Sequence, residues 1–253
     1  MCSSDLILPY FRQSIAITNK LGSEGFDPVT EADRNAEHEI RKLIRSRYPS
    51  HGIMGEEHGH EAGTSGLTWI VDPVDGTRAF MCGMTQWGTL IALHDGDRPV
   101  IGILDQPFLR ERWISAGGKT VFRDHAGGER LLTARRCASL SQAVLTTTSP
   151  VGYFNSEEQD AFWMLSGRSQ LTRFGGDCYA YGLLAMGFVD VVVEAGLQPW
   201  DIQALIPIIE GAGGVVTDWQ GKPVTGGGRV VACGDPQVHA EALGVLAAVR
   251  AAD

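Results

Sequence analysis

Positive charge is scarce in this sequence: 21 Lys and Arg stand against 30 Asp and Glu, a formal charge of −9 over 253 residues. A protein that grips nucleic acid through its phosphates needs a basic face, so this balance argues against that partner. Anionic small molecules stay open, because a bound divalent cation reverses the local sign of an acidic site. Closely spaced cysteines are missing too. Cys2, Cys82, Cys137, Cys178 and Cys233 are odd in number and scattered, which predicts reduced thiols and a cytoplasmic setting rather than a disulfide framework. No apolar run approaches the roughly 20 residues of a membrane span. The first ten residues have neither the basic start nor the apolar core of a secretory signal. Internal repeats and low-complexity tracts are absent. What remains, 43% hydrophobic and 20% charged, is the composition of a globular protein with room for a large core.

The most informative stretch is Trp69-Ile70-Val71-Asp72-Pro73-Val74-Asp75-Gly76-Thr77, an apolar run that stops on two carboxylates and turns through Gly-Thr. Carboxylates held that close on a backbone stiffened by Pro73 suit a hard cation such as Mg²⁺. They equally suit a strand that simply ends in a turn. Three further acidic sites favour metal chemistry: Gly55-Glu56-Glu57, the run from Asp27 to Asp33, and Pro199-Trp200-Asp201. Each stands at the edge of an expected element, where ligands are usually presented.

Helical spacing predicts helices over 6–19 and 30–48. In the second, Thr30 and Asp33 form a capping-box variant, and Ala36, Ile40, Leu43 and Ile44 form one face. Strands are expected over 69–71, 85–93, 99–104 and 112–115 as a β-meander, with Asp95-Gly96-Asp97 its clearest turn. A Gly-rich, charged stretch follows over 117–130. Strands over 144–148, 189–194, 215–218 and 229–233 then alternate with helices over 157–165, 178–186, 201–210 and 237–249. The change of pattern predicts two subdomains: an α+β unit, 1–135, with most of the acidic candidates, and an α/β unit, 136–253, with Asp201.

In order, Gly-Glu-Glu at 55–57, Asp-Pro-Val-Asp-Gly-Thr at 72–77, Trp-Asp at 200–201 and Glu-Gly-Ala-Gly-Gly at 210–214 resemble the inositol monophosphatase superfamily of Mg²⁺-dependent, lithium-sensitive phosphatases. Within it, Thr77-Arg78-Ala79-Phe80, Trp87-Gly88-Thr89-Leu90-Ile91 and Gly175-Gly176-Asp177-Cys178-Tyr179 are similar to the histidinol-phosphatase branch. The resemblance implies a layered αβαβα sandwich, with the site where the subdomains meet, and commonly a homodimer. It implies two or three Mg²⁺ ions. Glu56, Asp72 and the Val74 carbonyl would hold the ion that activates water. Asp72, Asp75 and Asp201 would hold a second, and a weaker third would sit near Glu56. Paired ions clamp the attacking and departing oxygens of an in-line displacement. Asp33 and Thr77 would orient the attacking water, and the N–H groups of Gly76 and Thr77 would receive phosphate oxygens.

Several of these residues also suit plainer roles. Asp201 could cap the helix expected after it, and Asp177 could cap the helix over 178–186. Glu57 is expected to support its neighbour rather than coordinate. His51, His58 and His60 match no zinc spacing and read as a solvated loop. Arg78 could touch phosphate or sit in a surface ion pair. Gly226-Gly227-Gly228 reads as a flexible turn, since no Lys-Ser or Lys-Thr follows it.

Substrate choice falls to residues around the leaving group. Asp177 occupies a place where inositol-specific relatives carry a small uncharged residue, and Glu194, seven residues before Asp201, matches a substrate-contacting family position. Carboxylates there favour an ammonium over neutral hydroxyls. The expected substrate is therefore a small phosphate monoester, L-histidinol phosphate, cleaved to L-histidinol and phosphate in histidine biosynthesis. An inositol or other polyol phosphate is the alternative. A non-catalytic regulator of the same fold is a third possibility, and decayed ligands would mark it; all four acidic ligand positions are intact.

Overall fold

The computed structural model of the chain describes residues 6–14, 17–19 and 28–247. Cys2, Asp27, residues 15 and 16 of the first expected helix and 248–249 of the last lie outside them. The first helix stops early: Leu6 and Ile7 are helical, Leu8–Tyr10 is a single 3-10 turn, and β1 (Ile17–Asn19) is a strand. Arg12, at φ 59°, breaks the helical path. Ile7 and Phe11 are buried against Phe80 and Trp87. β2 (Pro28–Thr30) pairs antiparallel with β1 and leads into α1 (Glu31–Arg47).

The start of α1 is fixed by its capping box. Asp33 Oδ2 accepts from the Thr30 N–H at 2.9 Å, and Thr30 Oγ1 accepts from the Ala32 N–H at 3.1 Å. Its inner face is Ala32, Ala36, Ile40 and Ile44, with Glu37 and Arg41 buried beside them; Leu43, expected inside, is 48% exposed. An ion pair therefore occupies one margin of the face, and Leu43 falls outside the other.

An eight-stranded sheet follows: β3 (Gly52–Gly55), β4 (Gly59–Glu61), β5 (Thr68–Asp75), the short helix α2 (Thr77–Met81), β6 (Gly88–His94), β7 (Pro99–Gln106), β8 (Glu111–Ala116), β9 (Lys119–Arg123) and β10 (Glu129–Leu131). Its order is β10-β9-β8-β7-β6-β5-β3-β4, antiparallel except between β3 and β5. The expected meander is its centre. Asp95 makes the expected turn, with Oδ1 accepting from the N–H groups of Asp97 and Arg98. The stretch over 117–130 contains β9 and β10. Buried Thr120 and Phe122 alternate with exposed Lys119 and Arg123, so the strand period was present beneath the charge.

The second half gives β11 (Val144–Thr147), α3 (Pro150–Tyr153), α4 (Ser156–Ser166), β12 (Leu171–Phe174), α5 (Asp177–Ala185), β13 (Val191–Leu197), α6 (Pro199–Ile202), α7 (Leu205–Gly211), β14 (Val215–Thr217), β15 (Gly228–Cys233) and α8 (Pro236–Leu246). The sheet order is β12-β11-β13-β15-β14, with β11 parallel to both its neighbours. The single helix expected over 201–210 is two. Pro207 has no N–H to donate, which is tolerated only in a first turn; restarting the helix at Leu205 puts it there.

Five layers result. Apolar residues of α1 pack on one face of the first sheet, and α5 and α7 fill the core between the sheets with Leu90, Leu104, Trp113, Val192 and Ala232. α4 and α8 cover the far face of the second sheet. The αβαβα sandwich expected from the family resemblance is the observed fold. Among the described residues no helix is long and apolar enough to cross a membrane.

Candidate metal centre and active site

Strict alternation would send Asp72 and Asp75 to opposite faces of β5, because an odd separation reverses direction in a strand. A bulge removes the conflict. On β6, Leu90 pairs with Asp72 and Gly88 with Asp75, so three steps on one strand match two on the other. Pro73, which cannot donate to a ladder, sits in the bulge, and its carbonyl accepts from Thr89 Oγ1 at 2.9 Å. Both carboxylates then line one cavity of about 660 Å³, with Asp201 from α6 opposite them. One oxygen from each of Asp72, Asp75 and Asp201 lies within 4.8 Å of the others. That trio of hard oxygen donors could hold a metal ion.

Backbone N–H groups aim each member. Asp72 Oδ1 accepts from Val74 at 3.0 Å, Asp75 Oδ2 from Cys178 at 2.8 Å, and Asp201 Oδ2 from Gln198 at 2.7 Å. Asp201 is the third residue of a four-residue helix, so it is not the N-cap of a long one. Glu56, in the turn after β3, lines the same cavity, and its charge pushes up the carboxyl groups of Asp72 and Asp75.

Burial raises Asp72 well above the carboxylate range, and the charges of Glu56, Asp75, Asp201 and Asp33 add to it. Asp75 is pushed up to about 7, by burial first and then by Asp177. A divalent cation is the group that would relieve such a cluster. The donor set therefore fits a hard metal ion.

Gly76, at φ 83°, carries the chain from β5 into α2; a Cβ there would come within 2.7 Å of the Gln86 carbonyl oxygen. The Thr77 hydroxyl lies 3.0 Å from the Val74 carbonyl, to which it donates, and 3.5 Å from Asp33 Oδ1. Asp33 is raised by burial against the bonds from Thr30, and the Glu57 charge raises it further. Asp33 thus serves the α1 cap with one oxygen and faces Thr77 with the other.

Asp177 and Glu194 line the same cavity. The N-cap of α5 is Gly176, with no side-chain cap bond, so Asp177 does not cap that helix. Its backbone is left-handed, φ 43°, a conformation costing about 1–3 kcal/mol outside glycine. Loss of water raises it to about 7, the Glu194 charge adds, and Arg78 opposes. Glu194 is buried on β13, where it accepts from Thr147 Oγ1 at 3.1 Å and from the Thr148 N–H and hydroxyl at 2.7 and 2.9 Å. Burial still holds it up at about 7.

Two wall residues, Tyr153 and Tyr181, carried no sequence signal, whereas Arg78 was a candidate phosphate contact. Arg78 lies over the Tyr153 ring, 4.7 Å from its centroid, and both line the cavity. Tyr181 is buried there, and among the described residues no group hydrogen-bonds its hydroxyl. The histidines do not converge: His51 Nδ1 accepts from Trp69 Nε1 at 3.0 Å, while His58 Nε2 sits 3.2 Å from the Arg34 carbonyl. The Gly226–228 run lies beside the end of β13, where Gly228 pairs with Leu197.

Known proteins share this fold and much of this sequence. The chain is 43% identical over 252 residues to the chloroplastic bifunctional phosphatase IMPL2 of Arabidopsis thaliana, covering 95% of this chain and 70% of that one. It is 35% identical to the histidinol-phosphatase of Mycobacterium tuberculosis, covering 81% and 79%. A solved inositol monophosphatase from Zymomonas mobilis superposes with a TM-score of 0.85 at 40% identity, covering 97% and 93%. The model of the inositol monophosphatase family matches residues 3–251. On that match, over the fold and cavity described above, the chain belongs to the inositol monophosphatase family, whose members are phosphoric monoester hydrolases.

Proposed function

We propose that this protein is a Mg²⁺-dependent phosphatase that hydrolyses L-histidinol phosphate to L-histidinol and phosphate. The observation that carries this reading is the pair Asp177 and Glu194 in the cavity that also holds the acidic trio. Both carboxyl groups are held up near 7 chiefly by loss of water. A substrate ammonium brought against them would favour their charged forms and gain charge-assisted hydrogen bonds of about 1.5–3 kcal/mol. Neutral hydroxyls gain less. Similarity to histidinol-phosphatases supports the same substrate. The cytoplasmic setting and homodimer belong to this reading, and the free Cys82, Cys137, Cys178 and Cys233 agree with a reducing compartment.

The family is metal-dependent. In this reading Glu56, Asp72 and the Val74 carbonyl would hold one Mg²⁺, Asp72, Asp75 and Asp201 would hold a second, and Glu56 would help to hold a weaker third. Bound there, Mg²⁺ would supply Lewis-acid stabilisation of the attacking and leaving oxygens. The chain does the rest. Thr77 Oγ1 would take a proton from the attacking water while its own, now donated to the Val74 carbonyl, turns to Asp33 Oδ1 3.5 Å away, whose raised pKa suits it to hold one. The N–H groups of Gly76 and Thr77 receive the phosphate oxygens.

A polyol phosphatase is the second reading, favoured by the 40% identity to an inositol monophosphatase and the 43% identity to a phosphatase named as bifunctional. Phosphate release from L-histidinol phosphate and from myo-inositol 1-phosphate, with Mg²⁺, separates the two. Asp177→Asn should lower kcat/KM for histidinol phosphate by about 10- to 100-fold and leave the inositol ester unchanged. Equal rates on both, untouched by the substitution, favour the polyol reading, and no turnover of any ester favours a regulatory protein.

A further inference from the structure

The Gly-Glu-Glu turn is held from outside the cavity, by a buried ion pair on α1. Glu37 and Arg41 lie one turn apart with side chains 0% and 4% exposed, and Arg41 Nε donates to Glu37 Oε1 at 2.7 Å. The carboxylate takes two more donors from the turn after β3: the Glu57 N–H at 2.7 Å and the His58 N–H at 3.2 Å. Arg41 reaches on to the Gly59 carbonyl. Glu56 is thus fixed on both sides. Its N–H donates to the Val71 carbonyl, 3.3 Å away and one residue before Asp72, while the N–H groups of the next two residues end on Glu37.

Apolar packing does little here, since β4 is exposed along its length. The glycine is part of the same device: a Cβ on Gly55 would overlap the Glu37 carboxylate. Arg41 offsets the charge of Glu37, so the buried carboxylate that anchors the turn is not left unpaired. We infer that Glu37, backed by Arg41, is a positioning residue that holds Glu56 in register with Asp72 for metal binding. The inference rests on the proposed ligand role of Glu56.

Titration calorimetry of the full chain with Mg²⁺ alone tests it, with Glu37→Gln, Gly55→Ala and Glu56→Gln beside the parent protein. Gln keeps the size of Glu37 but loses the charged acceptor, and Gly55→Ala disturbs the clamp from the other side if Glu37→Gln does not fold. Supporting residues of metal ligands typically change affinity about 10- to 100-fold. A loss of that size is expected in folded Glu37→Gln and Gly55→Ala, with kcat at saturating Mg²⁺ little changed. Parent-like Mg²⁺ affinity in these two, while Glu56→Gln loses it, overturns the clamp. Parent-like affinity in Glu56→Gln overturns the ligand role of Glu56 and the clamp with it.

Discussion

One cavity has two acidic ends, and they are built differently. At the first, Asp72 and Asp75 stand three positions apart on one strand, and a bulge turns both inward. At the other, Asp177 and Glu194 come from a helix start and a strand centre, and a left-handed residue delivers one of them. The first end packs like charges with backbone donors and the Cys178 thiol to help, an arrangement that suits a cation. The second gives Glu194 three donors and Asp177 an opposing Arg78, and depends less on one. Similar residues, differently supported, can therefore divide chemistry from selection.

The harshest way to break that contrast is Asp75→Asn. Turnover of every phosphate ester should fall on the order of 10³-fold at any practical Mg²⁺ concentration, comparable to loss of a main electrostatic group. Retained activity would remove Asp75 from the metal end. Glu194→Gln should act on one substrate only, lowering kcat/KM for histidinol phosphate about tenfold and sparing myo-inositol 1-phosphate. A uniform loss on both would make Glu194 part of the common machinery.

Stability against pH sharpens the comparison further. Asp75, Asp177 and Glu194 are each raised to about 7 from 3.8 or 4.5, so the folded state keeps protons that the unfolded chain has released. Their contribution is fully present below about pH 4 and is lost as pH rises through 7. In chelator-treated protein Tm should fall across that window, and added Mg²⁺ should raise Tm more at pH 7.5 than at pH 5.5. Asp177→Asn should reduce the pH slope and keep the Mg²⁺ response, whereas Asp75→Asn should lose the response. A Mg²⁺ increment independent of pH would contradict the assignment of the two ends.

The smallest effect is expected at Tyr181, whose neighbours include Glu194 of one end and Asp75 and Asp201 of the other. Among the described residues its buried hydroxyl has no hydrogen-bond partner. Tyr181→Phe should leave the stability of metal-free protein within about 1 kcal/mol or raise it. A clear loss in chemical denaturation would show that the hydroxyl is bonded after all.

Much of this could be read along the chain. Thr30 and Asp33 announced the α1 cap, and the meander from β5 to β8 followed from alternation. Other elements were hidden for physical reasons. β4, β10 and β12 are short, largely exposed edge pieces with no apolar alternation to reveal them. Pro207 broke an apparent helix, and i, i+4 spacing alone does not distinguish the buried pair Glu37 and Arg41 from a surface one. Asp177 could also be read as a cap of α5; the structure makes Gly176 the N-cap, with no side-chain cap bond, and so removes that role.

By itself the sequence determined the α1 cap, the strands of the meander and the close spacing of Asp72 and Asp75, because caps, strand periods and spacing are local properties. The αβαβα architecture was what the family resemblance implied. Tertiary structure alone decided that Asp201 meets Asp72 and Asp75, that Asp177 and Glu194 share their cavity, and that Glu37 reaches the Glu56 turn. Those contacts join residues far apart in the chain. The loss of water that sets their pKa values exists only once both sheets have closed around them.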